Sequence, residues 1–454
     1  MTSAGPPQTQ PVASPDPAAL LRSRNYLVLL ILGAIAGLPV AAVAYFFLKA
    51  VAELQHYLFQ TLPGELGYQN APTWWPLPLL ALSGLLVALS IRYLPGTSGH
   101  KPAEGFKASG PVPPIELPGI FAAAFATLAL GAVLGPEAPL IAIGSGLGVL
   151  AVQLVKRDAP QMAHVVIGVA GSFAAIATLL GSPIVGAFLL MEVAGLGGAL
   201  LGVVLVPGLL AAGIGSLIFI GLNSWTGYGT FSLAVPDIPT FGTPTGAEFL
   251  WAIAIGLAAA VLGAVIRRLA LTLQPIVERR ALLLTPLVGL GVAGLAIAFA
   301  EGSGRASSEV LFSGQDALPS LIDQAGTWTV GALVLLVVCK GLAYALSLSG
   351  FRGGPIFPGM FIGAAGGIVL SHLPGLPMIA GAAMGIGAMT VAMLGLPLTS
   401  VLITSLFLQS DAVTLMPLVI VAVVVSYVAS ARLVSAPEPR DSEAPTRPER
   451  RARS

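Results

Sequence analysis

An acid alone in an apolar stretch is the first residue able to do chemistry. Residues 135–148 read GPEAPLIAIGSGLG and set Glu137 between Pro136 and Pro139. The pattern returns at 354–367 as GPIFPGMFIGAAGG, without the acid. The two share G-P-x-x-P-x-x-x-I-G-x-x-x-G, six identities in fourteen positions at an offset of 219. Proline suits a first helical turn, where its missing N–H has no intrahelical partner. Each copy therefore predicts a helix start, with unpaired N–H groups and a positive dipole end. Two such ends meeting away from water make an anion site. Ala138 follows the first start, and Ile356 and Phe357 lie at the second, so their backbone N–H groups are candidate anion donors. Glu137 is itself an anion beside that site. It can compete with a passing ion as a gate, or simply cap a helix start.

Other residues carry weaker signals. Ser98, in GTSGHKPAEG, offers a hydroxyl that binds an anion without trapping it. Its plainer role is a turn between Gly96 and Gly99. His100, Lys101 and Lys107 follow and read first as loop charges, second as a funnel for anions. Lys340, deep in VLLVVCKGLAYAL, reads equally as a charge on an anion pathway and as packing glue against helix carbonyls or Glu192. Glu192 reads as structural and Tyr344 as packing. His164 and His372 stand alone, so neither metal nor cofactor is expected. A rival enzyme reading takes GTSG as the signal of an intramembrane serine protease, with Ser98 as nucleophile and His164 or His372 as base. It leaves Glu137 and both GPxxP copies without a role.

The elements that must position these residues are membrane helices. The chain has 454 residues, 56% hydrophobic and 9% charged, with mean hydropathy +0.91. A soluble domain carries about 25% charged residues. Runs such as 26–48 and 247–266 have spanning length. They lack the alternation of barrel strands, so the fold class is an all-α integral membrane protein. Cys339 is alone, which excludes an intrachain disulfide. A net charge of +1 gives no reason to expect nucleic acid. No P-loop pattern supports a primary pump. A cation carrier would need more embedded acids and the opposite helix ends.

Residues 1–24 and 433–454 read as disordered and cytoplasmic, the tail carrying Arg440, Arg447, Arg450, Arg451 and Arg453. No cleaved signal peptide is expected, and both ends inside imply an even number of crossings. The polar linker 224–246 divides two repeats, 25–223 and 247–432. GSPIVGAFLLME (181–192) and GLPLTSVLITSLF (395–407) provide a second matched landmark, each downstream of its GPxxP. An inverted duplication with broken, re-entrant helices follows, against the plainer view that glycine-rich packing produced the match.

On these residues the chain resembles the CLC family of chloride channels and chloride/proton antiporters. ATLALGAVLGPEAPLIAIGSGLG is similar to the family's G-[KR]-E-G-P helix start, with Glu137 at the gating glutamate. FRGGPIFPGMFIGAAGG is similar to its G-x-F-x-P element, and GTSGHKPAEG to its G-S-G-I-P element, with Ser98 at the anion-binding serine. The resemblance implies a homodimer with a separate pore in each subunit and chloride as the ion; a plasma-membrane location is expected, without the pair of soluble regulatory domains that many relatives append. Four departures matter. Pro136 and Ala138 replace a basic residue and a glycine. Ile356 replaces phenylalanine, and Pro355 has no N–H to offer. ARLVSAP lacks the family's late tyrosine, since Tyr427 comes too early. Val193 stands where antiporters carry an inner proton glutamate, with Glu192 beside it. Passive, channel-like conduction is therefore expected over chloride/proton or fluoride/proton exchange, with weak anion binding because Pro355 removes a donor.

Overall fold

A computed structural model describes residues 22–106, 110–195, 199–227, 242–408 and 412–433, helical through most of that length and without a strand. The first half contains α1 (Arg24–His56), α2 (Pro76–Tyr93), α3 (Leu117–Ala129), α4 (Glu137–Val155), α5 (Gln161–Leu180), α6 (Pro183–Val193) and α7 (Ala199–Thr226). The second contains α8 (Gly246–Arg279), α9 (Ala281–Ser303), a short α10 (Leu318–Asp323), α11 (Val330–Gly350), α12 (Ile356–Leu370), α13 (Met378–Leu394), α14 (Pro397–Leu408) and α15 (Ala412–Leu433). Among the described residues, nine helices are long and apolar enough to cross a membrane, and five apolar ones are shorter. The termini expected to be disordered lie, apart from residues 22–24 and 433, outside the described residues.

Exposed apolar residues sit where lipid would be. Leu27, Ile31 and Ile35 recur every four residues on α1, and Leu257, Val261 and Val265 do so on α8. That spacing is one face of a helix. In water it would be a liability; against acyl chains it costs nothing.

The two halves pack alike. α4 lies on α5 as α12 lies on α13, α5 on α7 as α13 on α15, and α1 on α7 as α8 on α15. The glycines of the shared pattern explain the first of these. A Cβ on Gly144 or Gly148 would overlap the carbonyls of Gly171 and Ile167. A Cβ on Gly363 or Gly367 would overlap those of Gly385 and Gly381. Small residues let membrane helices approach backbone to backbone. So the GxxxG half of the repeat is packing, as the plainer view held, and its GPxxP half is something else.

Gly135 and Gly354 form an antiparallel bridge, each amide donating to the other's carbonyl at 2.8 and 2.7 Å. These residues are 219 apart, the offset of the repeat. Reciprocal bonding between equivalent residues is what a two-fold axis between inverted repeats requires. Equivalent helices also meet directly, α2 with α9 and α6 with α14. Near the expected linker, α7 continues to Thr226, whose Oγ1 lies 2.7 Å from the Tyr45 hydroxyl. α8 opens on a Thr245–Glu248 capping box, and residues 228–241 lie outside the described residues.

Candidate functional site

The bridge delivers two helix starts to one place. α4 begins at Glu137 with Pro136 at its N-cap and Pro139 in its first turn. α12 begins at Ile356 with Pro355 at its N-cap and Pro358 in its first turn. Glu137 is fully buried, and its Oε1 accepts the backbone N–H of Ile356. The acid of one repeat thus fills the helix start of the other. Its Oε2 has no partner among the described residues. Glycine at 354 is needed because a Cβ there would overlap the Glu137 carboxylate. Burying a lone carboxylate is costly unless donors and dipoles hold it. Here a second helix start supplies both.

The neighbouring groups fall on two sides. On one side, a narrow pocket is lined by Ser98, His100, Ala138, Arg352 and Gly353, among others. It brings Ser98 and Ala138 together as the sequence suggested. Ser98 is 1% exposed, carries a left-handed φ of 55°, and its Oγ has no partner among the described residues. A non-glycine residue there stores strain that is most often found at functional sites. On the other side, a cavity of about 450 Å³ reaches Leu134 and Pro136 and is lined by His56, Glu309 and Asp316, among others. Burial pushes the Glu309 and Asp316 carboxyls above their usual range, against the pull of Lys340 and Arg305 on the first and Lys49 on the second. Glu137 follows Pro136, which lines the second space, and precedes Ala138, which lines the first.

Phe357 is buried in the first turn of α12. Lys340 is not at the site. Its Nζ donates to the carbonyls of Glu309, Val310 and Leu311 at 2.9–3.0 Å and sits 4.4 Å from the Phe361 ring centre. That is the packing-glue geometry, made with a loop rather than with Glu192. Glu192 instead caps α14, accepting from Leu398 N at 3.0 Å, Thr399 N at 2.7 Å and Thr399 Oγ1 at 2.6 Å. Val193 packs half-buried against the core.

Lys101 is tied up in ion pairs with Glu278 at 2.8 Å and Glu104 at 3.9 Å, a loop charge as read. His100 Nε2 lies 2.8 Å from the Gly105 carbonyl, and Lys107 lies outside the described residues. The protease reading finds no base. His372 Nδ1 is 3.0 Å from the Ile368 carbonyl, and no histidine bonds Ser98 among the described residues.

Two residues acquire positions that the sequence did not predict. The Tyr344 hydroxyl donates to the Pro355 carbonyl at 3.0 Å, so this core residue braces the second helix start. Arg352, which no motif marks, lines the Ser98 pocket and is 6% exposed. Its signal was available: it is the one arginine between Arg305 and Arg432, two residues ahead of the second GPxxP.

Comparison with known proteins bears on the family and the fold. The family model described as "Voltage gated chloride channel" matches residues 83–431. The "Putative ion-transport protein YfeO" of Escherichia coli O1:K1 / APEC is 29% identical over 358 residues, 78% of this chain and 82% of that protein. A slow cyanobacterial Cl⁻/H⁺ antiporter superposes with a TM-score of 0.72 at 19% identity, covering 89% of this chain and 94% of its own. A CLC-type fluoride/proton antiporter gives 0.67 at 21% identity, covering 90% and 96%.

Proposed function

From the premise that this chain belongs to the voltage-gated chloride channel family, we propose that it conducts small monovalent anions, chloride first, by a passive pathway that Glu137 gates. One observation carries the gate: the Glu137 carboxylate sits on the Ile356 N–H. An ion and a carboxylate compete for the same helix start. With the carboxylate in place the path is closed. When it takes a proton or swings away, Ile356 and the first turn of α4 become available to an anion. Ser98, Ala138, Ile356 and Phe357 are the donors along that path.

Passive conduction rests on the side facing Ser98. Coupled exchange needs a titratable relay between Glu137 and the cytoplasm. Val193 carries no proton. Glu192 is committed to the start of α14 through three hydrogen bonds. Exchange is the second reading, favoured by the activities of the two similar antiporters. The Ser98 side is taken as cytoplasmic because Lys101 meets Glu278 beside Arg279 and Arg280 there. We take both termini to be cytoplasmic by the same charge bias, and the protein to be a plasma-membrane homodimer from its family.

The deciding experiment is efflux from liposomes holding purified protein, over chloride, bromide, nitrate and fluoride, with pH followed across the membrane. Chloride efflux without stoichiometric proton movement is expected. Sustained proton transport against its gradient, at a fixed ratio to the anion, replaces passive conduction with exchange.

A further inference from the structure

Arg352 is a buried cation whose direct partners are not anions. Nε donates to the Thr97 carbonyl and Nη1 to the Phe351 carbonyl, both at 3.2 Å. A guanidinium stays charged, and burying it is costly unless its charge is met. Among the described residues no carboxylate lies within ion-pair distance of it. Glu278 and Glu104 attract it from farther away. Both already have closer cations or donors: Lys101 at 2.8 Å from Glu278, and Gln274 at 2.8 and 3.4 Å from the two. The two carbonyls orient the fork without neutralising it.

Against this charge lies a second incomplete group. Ser98 Oγ lines the same pocket, 1% exposed and unpartnered. Ala138, second residue of α4, closes the pocket and places a helix start there. An unpaired hydroxyl, a fixed positive charge and a helix start share one preference, a small anion. The pocket has about 10 Å³ of room for a water-sized sphere, so the site is constricted in this closed arrangement.

We infer that Arg352 adds a fixed positive charge to the Ser98 donor site on the Lys101 side of Glu137 and sets its anion affinity. This rests on the anion-transport reading above. It reverses the weak binding expected from Pro355. The missing N–H is one neutral donor, whereas a guanidinium is a full charge with five donors.

The test uses full-length protein in liposomes, with initial chloride flux measured against chloride concentration. Arg352→Gln should raise the half-saturating concentration about tenfold or more, the loss of one charge-assisted hydrogen bond. The pH dependence set by Glu137 should persist, displaced to higher pH because a nearby positive charge is gone. Arg352→Lys keeps the charge without the fork and should recover part of the affinity. An unchanged half-saturation in Arg352→Gln overturns the inference. So does an equal fall in maximal rate for both variants with half-saturation unmoved, which is what a mere brace between Thr97 and Phe351 would produce.

If Arg352→Gln does not fold, anomalous diffraction from bromide-soaked wild-type crystals decides. A peak within hydrogen-bond reach of Arg352 and Ser98 is expected, and bromide bound only elsewhere sinks the idea. A peak there in a protein that passes no anion would fail the transport reading alone. Flux with unchanged half-saturation would fail the Arg352 assignment alone.

Discussion

Glu137 makes a charge-assisted hydrogen bond to a peptide that an anion would also bind. Such bonds are worth about 1.5–3 kcal/mol. Glu137→Gln keeps the shape and removes the charge, so the side chain should compete for Ile356 about tenfold less well or worse. Flux should rise at neutral pH and lose most of its pH dependence, with the protein still folded by size exclusion. A variant that keeps the wild-type pH profile would place the gate elsewhere, and one that fails to fold would favour the structural cap. Asp316 gives a second, separable pH effect. Burial raises its carboxyl in the folded state, opposed by Lys49, so the folded protein holds this proton more tightly than the unfolded chain does. By linkage, the relative stabilisation is present at low pH and is lost as pH rises through the raised value. Asp316→Asn should therefore melt higher than wild type at pH 8, with the gap closing as pH falls toward the usual aspartate range. Melting curves that stay parallel across that window would remove Asp316 as the cause.

At the scale of elements, the recurring device is a proline-marked helix start whose N–H groups are met by an acid from the other half. Glu137 of α4 meets α12, and Glu192 of α6 meets α14. The two acids look alike in sequence, each near a landmark of the repeat. Their surroundings separate them: one carboxylate oxygen of Glu137 is left free, whereas both oxygens of Glu192 are bonded. Glu192→Gln keeps a carbonyl acceptor for Thr399 and should leave anion flux and proton movement unchanged. Glu192→Ala strips the cap and should lower stability by about 1–2 kcal/mol, the usual cost of a lost helix cap. If Glu192→Gln instead abolishes a proton current present in wild type, Glu192 is a relay and passive conduction fails.

For the whole molecule, the bridge between Gly135 and Gly354 joins two halves at the pair of helix starts that it brings together. α6 and α14 also meet, and their outward residues Ile184 and Leu398 are exposed and apolar. We expect the purified protein to be a dimer by mass photometry, each subunit with its own pathway. In dimers combining one wild-type and one Glu137→Gln subunit, flux at neutral pH should equal the mean of the two parent rates. A combined rate set wholly by one subunit would mean a shared pore.

The sequence alone carried the class, the repeat and the buried acid at the paired helix starts, because each is written in local chemistry. Lipid exposure forces apolar composition, a helix start inside a membrane forces Gly-Pro, and a lone acid in such a place is conspicuous. The offset of 219 even named the residues that pair, Gly135 with Gly354 and Glu137 with Ile356. What distance along the chain hides was decided by the tertiary structure. Lys340 and Arg352 are both single cations in apolar surroundings, and the sequence draws attention only to Lys340, deep in its run. Folding gives Lys340 three carbonyls from the loop at 309–311 and so uses its donors up. Arg352 lines one pocket with Ser98, 254 residues earlier in the chain, and its two hydrogen-bond partners are neutral carbonyls. Whether a buried charge is spent or available depends on which distant backbone reaches it, and a sequence does not state that.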